Sequence, residues 1–522
     1  MRDARASFAD FIGFRRLRSG KVFCDYYIVP DPDFDLDALG LAAAENERDE
    51  PPARTVDEDE GAWEDVDGDP PIPSPPSSPG PRTASLSPLS SLSASPASSR
   101  PPSPANATGS SVKNSYAIKG GGRKRRSKAH SRENRRKRRK LEAHGHPERK
   151  RRHAQHVVRS TAQRVEFDFK KAPVASTGFR GLYEGEIACT HTLQELLDDG
   201  FTYFPYSGRE TKPIVAPLAP EPPADAKEGD PPPEPEDVVL GVLAGCPRDG
   251  GDVGHGDQVP FQEAHQTLAA ALEEQRERNR FTKDARIHRR GEFCAEAEGI
   301  SHGGGQLQPG RLKHSPAMTL ALALLISLPA MIRIAHFASS VFATWAPEIH
   351  KYYGDTLAAL LASDPTLYRN FPQSVWSCIT INFGPQTVTY PHRDYGNLPF
   401  GWCAITALGD YDPDVGGHLV LWDCKMVIRF PPGSTIIIPS AIIRHSNTRI
   451  AEHEHRYSVT QYTAGAIFRW VEHGFQLDER YYASLTKAQA RKEKATAAGR
   501  WKRGRAMFAK LSDLVAKAEK AA

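Results

Sequence analysis

The chain has 522 residues, of which 39% are hydrophobic and 25% are charged, and its formal net charge is +4. This length exceeds what one hydrophobic core usually holds. Its seven cysteines are scattered and contain no CxxC pair, which argues against a secreted disulfide scaffold and favours a reducing compartment. Residues 1–20 contain no apolar run, so we expect no secretory signal there.

The first 155 residues are predicted to be disordered. Acidic residues are dense from 45 to 69, and proline and serine dominate from 70 to 104. Such segments cannot bury enough apolar surface to offset the entropy of an ordered chain. We therefore expect a long N-terminal region without a packed core.

Residues 123–152 carry the densest charge run, with 16 Lys and Arg against three Glu. This composition is typical of a nuclear localisation signal, of a nucleic-acid-binding arm, or of both. A solvated charge run with neither role is the alternative. We predict a nuclear protein.

A folded domain is predicted over residues 156–485. The alternation in QRVEFDF (163–169) predicts a strand, THTLQELLDDG (190–200) a helix with a Thr cap, and DVVLGVLAG (237–245) a buried strand. A surface loop rich in proline and acid is expected over 216–236. The composition of FQEAHQTLAAALEEQRERNRF predicts a helix that covers the core.

The most apolar run of the chain, residues 317–332, contains Thr319, Ser327 and Pro329. It is shorter than the roughly 20 residues that a membrane-spanning helix needs. We predict a buried helix that ends before Pro329 and a second helix that starts there, because proline favours the first turn of a helix. No membrane partner is expected.

Residues 376–470 are predicted to hold the core of an α+β fold. Short β-branched and aromatic segments, CAITALG, HLVLWD, MVIRF and TIIIP, are separated by the turns DPDVGG and PPGS. This pattern is typical of an antiparallel meander. We predict a double-stranded β-helix, of the jelly-roll or cupin-like kind, with flanking helices.

Candidate metal ligands occur in this core. His392 and Asp394 lie in YPHRDY, and His445 lies in IIRHSNT. Two imidazoles and one carboxylate leave one face of an octahedral ion open, as in non-haem Fe(II) oxygenases. The HRD tripeptide also begins a protein-kinase catalytic loop, but the glycine-rich loop and the DFG motif of kinases are missing. Zinc on a similar barrel remains an alternative.

An arginine follows at a fitting distance. Arg456 lies eleven residues beyond His445. If the open face of the metal takes 2-oxoglutarate and O2, the far carboxylate of 2-oxoglutarate needs a planar cation, which arginine supplies better than lysine. Arg456 is therefore the predicted cofactor-binding residue.

Residues 290–475 resemble a known enzyme family. The segments that carry the resemblance are GISHGGGQLQPG, RIAHFASSVFATWAP, TINFGPQTVTYPHRDYGNLPFGWCAITALGDYDP, PSAIIRHSNT and HRYSVTQYTAGAIFRWVEHGF. They are similar to the Fe(II)/2-oxoglutarate dioxygenase domain that is expanded in basidiomycete, mushroom-forming fungi and related to the TET/JBP oxygenases of nucleic acids.

The resemblance implies that His392, Asp394 and His445 hold Fe(II), and that Arg456 with Ser458 holds 2-oxoglutarate. It also implies a nucleic acid substrate, with the methyl group of 5-methylcytosine in DNA favoured. An N-methylated base or RNA would suit the same site.

Aromatic residues are dense around the predicted metal site, where a flipped base would need a surface for stacking. The substrate-binding candidates are Tyr395, Asn397 and Trp402. Filling of the barrel interior is the alternative role for the aromatic residues.

The tail at residues 486–522 is predicted to be helical and basic. From 487 onward it contains 11 basic residues against three acidic ones. Its apolar stripe is Phe508, Leu511, Leu514 and Val515. We expect this stripe to dock on the domain and the basic face to remain available for phosphate.

Two other functions fit the same residues. One is a 2-oxoglutarate-dependent protein hydroxylase, in which the basic run serves only nuclear import. The other is a non-catalytic chromatin or mobile-element protein that keeps the barrel for binding.

Overall fold

The computed structural model describes residues 147–185, 187–220, 233–247, 260–279, 281 and 284–522, together with two short strands near the N-terminus. Helices and sheets both form large parts of these ranges, so the fold is α+β, as the sequence predicted. Most of the N-terminal region predicted to be disordered, most of the basic run, and most of the loop predicted over 216–236 lie outside the described residues. Where they are described, residues 147–155 are helical and residues 216–218 belong to a strand, which corrects both predictions at these positions.

The helices follow one another through the domain and the tail. They are α1 (Pro147–Arg159), α2 (Leu193–Asp198), α3 (Phe261–Asn279), α4 (Pro316–Ser327), α5 (Pro329–Trp345), α6 (Pro347–Ser363), α7 (Gly465–Glu472), α8 (Asp478–Ser484), α9 (Lys487–Arg505) and α10 (Leu511–Glu519).

The strands range from two to ten residues, and the longest is β6. They are β1 (Arg15–Arg16), β2 (Val22–Phe23), β3 (Gln163–Arg164), β4 (Thr202–Phe204), β5 (Lys212–Leu218), β6 (Glu236–Gly245), β7 (Ile287–His288), β8 (Gly291–Glu292), β9 (Cys294–Ser301), β10 (Gly310–Arg311), β11 (Cys378–Gly384), β12 (Cys403–Asp410), β13 (Leu419–Leu421), β14 (Met426–Ile428), β15 (Thr435–Ile438), β16 (His445–Asn447) and β17 (His455–Tyr462).

Two sheets organise the domain. The large sheet has the order β10-β9-β11-β17-β12-β15-β6-β5-β3, and its neighbours are antiparallel except for β3 and β5. The small sheet has the order β16-β13-β14-β4. The strands predicted from CAITALG, HLVLWD, MVIRF and TIIIP are all present, as β12 to β15.

The large sheet is covered on one face by helices. Ile381 of β11 and Val459 of β17 pack with Leu272 of α3, Leu322 of α4 and Met331 of α5 in one buried cluster. Burying this apolar area is the main favourable contribution to folding. The covering role predicted for α3 is thereby confirmed.

A second buried cluster joins the two sheets. Ile405 and Ile436 of the large sheet pack in it with Leu421 and Ile428 of the small sheet. Side chains alternate between the two faces of a strand. In the large sheet, one face packs under the helices and the other face packs in this second cluster. The two sheets therefore share one interior.

Local signals set several helix boundaries as predicted. Thr192 and Glu195 form a capping box at the start of α2, and α2 ends just before Gly200, whose φ is +80°. Ser315 caps α4, which ends before Pro329, the first residue of α5. No single described helix is long and apolar enough to cross a membrane; α4 and α5 reach that length and apolarity only as a pair bent by 66°.

The strand predicted over 163–169 is much shorter than expected. Only β3 pairs as a strand, and the Val165 N–H then donates to the Val215 carbonyl at 2.9 Å. Beyond this point Phe169 packs edge-on against Phe167 and Phe508 instead of continuing the sheet. Alternation of apolar residues here reflects packing against the C-terminal tail.

The C-terminal tail is packed on the domain. Phe508 is buried, and Leu511, Leu514 and Val515 pack against the same core. Helix α10 contacts α1, and the Arg151 Nε donates to the Ala522 carbonyl at 2.8 Å. Helix α1 itself spans the predicted start of the domain at residue 156.

Candidate metal centre and its pocket

Three side chains bring potential metal ligands together. One ligand atom each from His392, Asp394 and His445 lies within 4.8 Å of the other two. The His392 Nε2 lies 3.7 Å from the Asp394 Oδ1, and the His445 Nε2 lies 3.9 Å from the Asp394 Oδ2. Two imidazoles and one carboxylate at these distances could hold a metal ion.

Backbone hydrogen bonds fix the three residues. The His392 N–H donates to the His445 carbonyl at 3.1 Å, and the His445 N–H donates back to the His392 carbonyl at 2.9 Å. The Asp394 N–H donates to the Ser440 carbonyl at 3.0 Å. The segment that carries His392 and Asp394 is thus held against β16, which carries His445.

Hydrogen bonds from the Nδ1 atoms to backbone carbonyls orient the two imidazoles. The His392 Nδ1 lies 2.7 Å from the Tyr390 carbonyl oxygen, and the His445 Nδ1 lies 3.0 Å from the Ile443 carbonyl oxygen. A carbonyl only accepts, so each Nδ1 carries the proton and each Nε2 keeps its lone pair towards Asp394. Both histidines present the tautomer that binds a metal.

Burial and neighbouring charges set the protonation of the site. Burial lowers the pKa of His392 well below its usual value, and the adjacent His445 acts in the same direction. Burial alone would raise the pKa of Asp394, but the positive charge of the two imidazoles in their protonated form, and of the nearby Arg290 and Arg289, outweighs it and lowers this pKa to about 2. A neutral His392 and an ionised Asp394 are the states that ligate a metal.

Arg456 lies on β17 and is buried. Its Nη1 donates to the Thr387 carbonyl at 2.9 Å, and its guanidinium lies 5.9 Å from the centre of the Tyr411 ring. Burial lowers its pKa, which Tyr411 partly offsets, yet arginine stays charged in proteins. Among the described residues no carboxylate pairs with it, and its Nε has no hydrogen-bond partner. A buried cation without a counter-ion is costly and suits an anionic ligand.

Ser458 projects from the same face of β17 as Arg456. Tyr457 and Val459 pack under the helices, so alternation places Arg456 and Ser458 on the opposite, interior face. The Asn382 Nδ2 donates to the Ser458 Oγ at 2.8 Å, while the Asn382 Oδ1 has no partner. The unpaired Arg456 Nε is a donor and suits an anionic ligand, whereas the Asn382 Oδ1 only accepts and suits a donor.

One carbonyl connects the arginine to the strand of the metal ligands. The Thr387 carbonyl accepts from Arg456 and also from the Asn447 Nδ2, at 3.2 Å. Asn447 lies two residues after His445 on β16, and its Oδ1 accepts from the Thr389 N–H at 2.9 Å. Hydrogen bonds therefore connect Arg456 to the strand that carries His445.

A pocket opens at His392. Its wall includes Tyr395, Arg289, Tyr183 and Glu184. The Tyr183 and Tyr395 rings lie 5.1 Å apart, and the Arg289 guanidinium lies 5.2 Å from the Tyr395 ring centre. Tyr395 is thus the substrate-binding candidate that the structure brings to the pocket.

The other two substrate-binding candidates lie elsewhere. Trp402 is fully buried and stacks on Phe342, with ring centres 5.6 Å apart, so its indole belongs to the core. Asn397 is also buried; its N–H donates to the Asp394 carbonyl at 2.9 Å and its Nδ2 lies 3.4 Å from the Cys403 Sγ. Asn397 supports the turn that carries Asp394, and neither residue lines the pocket.

The sequence alone did not indicate several residues around the site. Tyr183, Glu184 and Arg289 come from segments far upstream, and Arg444 directly precedes His445. For Arg444 the position beside a candidate ligand was an available signal. For Tyr183 and Glu184 no local pattern pointed to the pocket.

No family model and no curated protein matches the chain. Among solved structures, the chain is similar to one described as NgTET1 in complex with 5mC DNA, at 12% sequence identity. The match covers 57% of this chain and 89% of that chain, with a TM-score of 0.33.

Proposed function

We propose that this protein is an Fe(II)- and 2-oxoglutarate-dependent dioxygenase that oxidises a methylated base in nucleic acid. The observation that carries the proposal is the pairing of two sites: a His392, Asp394 and His445 cluster with ligand atoms within 4.8 Å, and a buried Arg456 without a carboxylate partner among the described residues. The first suits a ferrous ion and the second suits the distal carboxylate of a keto diacid.

The two sheets are proposed to be the halves of a double-stranded β-helix. They share one buried core, and the candidate ligands lie where β16 of the small sheet meets the segment after β11 of the large sheet. This position corresponds to the mouth of a barrel, where ligand sites are common.

Iron and 2-oxoglutarate together would supply the oxidation chemistry when bound. The residues of the chain hold and orient these groups. His392 and His445 present their Nε2 atoms because their Nδ1 protons are held by backbone carbonyls, and Asp394 remains ionised. Arg456 would orient 2-oxoglutarate through its far carboxylate, with Ser458 beside it, and burial of this end would exclude water.

The nucleic acid substrate is supported by the TET/JBP-like motifs and by the pocket wall. Arg289, Arg393 and Arg444 line the pocket, and Tyr395 offers an aromatic face. Cationic and aromatic groups are what a phosphate backbone and a base require. Within this class we propose 5-methylcytosine in DNA, with RNA or an N-methylated base as the alternatives.

The direct test is incubation of the full chain with Fe(II), 2-oxoglutarate and methylated DNA or RNA. We expect succinate release and an oxidised nucleoside, detected by mass spectrometry. His392→Ala should abolish both, while His453→Ala, which removes an exposed histidine, should leave both unchanged. Equal product from the parent chain and from His392→Ala would refute the iron site.

The same assay separates the alternatives. A protein hydroxylase would release succinate but leave every nucleoside unchanged, and a binding module would release none. Zinc would be recognised by tight Zn²⁺ binding without any Fe(II)-dependent turnover. Nuclear localisation, proposed from residues 123–152, is tested by deleting that run from a fluorescent fusion and imaging the cell.

A further inference from the structure

We propose that Arg393 and Arg444 form a phosphate-binding site at the entrance of the metal pocket, and that the Glu184 carboxylate occupies this site until a nucleic acid phosphate displaces it. The identity of the anion as a nucleic acid phosphate rests on the proposed function. The closed state of the site rests on the geometry alone.

The two arginines belong to the metal centre by position. Arg393 lies between His392 and Asp394, and Arg444 directly precedes His445. Both line the pocket together with Glu184. An anion held by these arginines would therefore lie at the entrance through which a substrate reaches the candidate ligands.

A separate carboxylate holds the arginine pair in place. The Arg393 Nη2 donates to the Asp423 Oδ1 at 2.7 Å, and the Arg444 N–H donates to the Asp423 Oδ2 at 2.6 Å. The side chains of Arg393 and Asp423 are only 11% and 26% exposed. Asp423 thus keeps the guanidinium of Arg393 in position whether or not Glu184 is present.

Glu184 is held more loosely than Asp423. Its Oε2 forms an ion pair with the Arg393 Nη1 and accepts a hydrogen bond from the Arg444 Nη2 at 2.7 Å, and its side chain is 40% exposed. Solvent and salt at the Glu184 end screen these ion pairs, although the side chains of Arg393 and Arg444 are only 11% and 20% exposed. Glu184 is therefore the member of the cluster that another anion can replace at low cost.

Contacts to the rest of the domain hold the chain on both sides of Glu184. The Gly181 N–H donates to the Tyr395 carbonyl at 2.7 Å, and the Thr190 Oγ1 accepts from Arg449 at 3.0 Å. Between these anchors Glu184 lies outside the helices and strands, and Gly185 has a φ of +81° and open space on the side where a Cβ atom would lie. Movement here would also separate the Tyr183 ring from Tyr395 and widen the pocket.

The exchange conserves charge. A phosphodiester carries one negative charge and offers two oxygens, as a carboxylate does, and both match the fork of an arginine. Replacement of Glu184 by one phosphate leaves the guanidinium groups neutralised. Glu184 would then weaken binding of nucleic acid by competing for the arginines.

The test measures binding of labelled methylated DNA, duplex and single-stranded, to the full chain by fluorescence anisotropy at fixed salt. Glu184→Gln should tighten binding by about two- to fivefold, the range expected for loss of one exposed ion-pair competitor. The matched control is Glu479→Gln, which changes the net charge equally at an exposed position on α8. Equal tightening by both variants, or weaker binding by Glu184→Gln, would overturn the proposal.

The arginine side is tested in the same way. Arg444→Gln should weaken DNA binding more than Arg480→Gln, which removes an exposed arginine on α8. In the Arg444→Gln background, Glu184→Gln should tighten DNA binding less than it does in the parent chain. If Glu184→Gln tightens DNA binding equally in both backgrounds, Glu184 does not compete for Arg444. Thermal melts of all variants show whether each remains folded.

Failure of this proposal and failure of the proposed function give different results. If the protein is not a 2-oxoglutarate oxygenase, the parent chain releases no succinate. If only the phosphate site is wrong, the parent chain releases succinate and Glu184→Gln binds DNA like Glu479→Gln.

Discussion

Two buried arginines, Arg456 in the sheet interior and Arg500 in the C-terminal tail, have opposite surroundings. Arg500 is 2% exposed and its Nη2 lies 3.2 Å from a Glu472 oxygen and 3.3 Å from a Glu493 oxygen. Arg456 is 3% exposed and pairs with no carboxylate among the described residues. The two arginines are equally buried, but among the described residues only Arg500 has carboxylates that compensate its charge.

Arg500 also contacts a backbone carbonyl and an aromatic ring. Its Nη1 donates to the Thr177 carbonyl, and its guanidinium lies 3.8 Å from the centre of the Phe179 ring. These contacts join the tail to the start of the domain, so Arg500 stabilises the fold. Arg456 contributes no comparable ion pair within the described part of the chain, and its burial makes sense when an anionic ligand supplies the missing charge.

The largest expected effect concerns binding of 2-oxoglutarate. Arg456→Met should weaken it by about 2–5 kcal/mol, because a buried charge pair between ligand and protein is lost. Arg456→Lys should be intermediate, since it keeps the charge but loses the planar fork. Anaerobic calorimetry measures both; an equal loss of Fe(II) binding would indicate collapse of the site instead.

The next effect concerns the folding stability of the tail junction. Arg500→Met should lower the free energy of unfolding by about 2–4 kcal/mol, because Glu472 and Glu493 lose their buried partner. Arg503→Met, an exposed position on the same helix, should change it by less than about 0.5 kcal/mol. Denaturant titration compares the two; similar losses would show that the Arg500 ion pairs are not responsible.

The two arginines should also differ in how a ligand stabilises the protein. At 100 times its dissociation constant, 2-oxoglutarate should stabilise the parent chain by about 2.7 kcal/mol. At the same concentration Arg500→Met should gain as much and Arg456→Met almost nothing. Thermal melts with Fe(II), with and without 2-oxoglutarate, measure this stabilisation. Equal stabilisation of Arg456→Met and Arg500→Met would contradict the expected difference between the two arginines.

The smallest effect is on the stability of the ligand-free protein. Arg456→Met should change the free energy of unfolding by less than about 1 kcal/mol or should raise it, since removal of an unpaired buried charge relieves a desolvation cost. Denaturant titration without cofactors measures this. A loss as large as that of Arg500→Met would assign Arg456 a structural role.

Much of the fold was predictable from local patterns. The helices around Pro329, the capped helix after Thr192 and the core strands follow from hydrophobic period, capping residues and turn composition, which act within a few residues. The strand over 163–169 was overestimated because packing against Phe508, far along the chain, replaced sheet pairing.

The amino-acid sequence by itself indicated His392, Asp394, His445 and Arg456, because their residue types and spacing already suit a metal and a carboxylate. Only the tertiary structure decided which aromatic residue reaches the pocket. Tyr395 lines it, whereas Trp402 is fully buried in the core.

The tertiary structure likewise decided which charge accompanies each arginine. Glu184 meets Arg444 across 260 positions of sequence, and no local pattern encodes such a pair. The physical reason is that secondary structure depends on neighbouring residues, while burial and ion pairing depend on which distant segments the order of the sheets brings together.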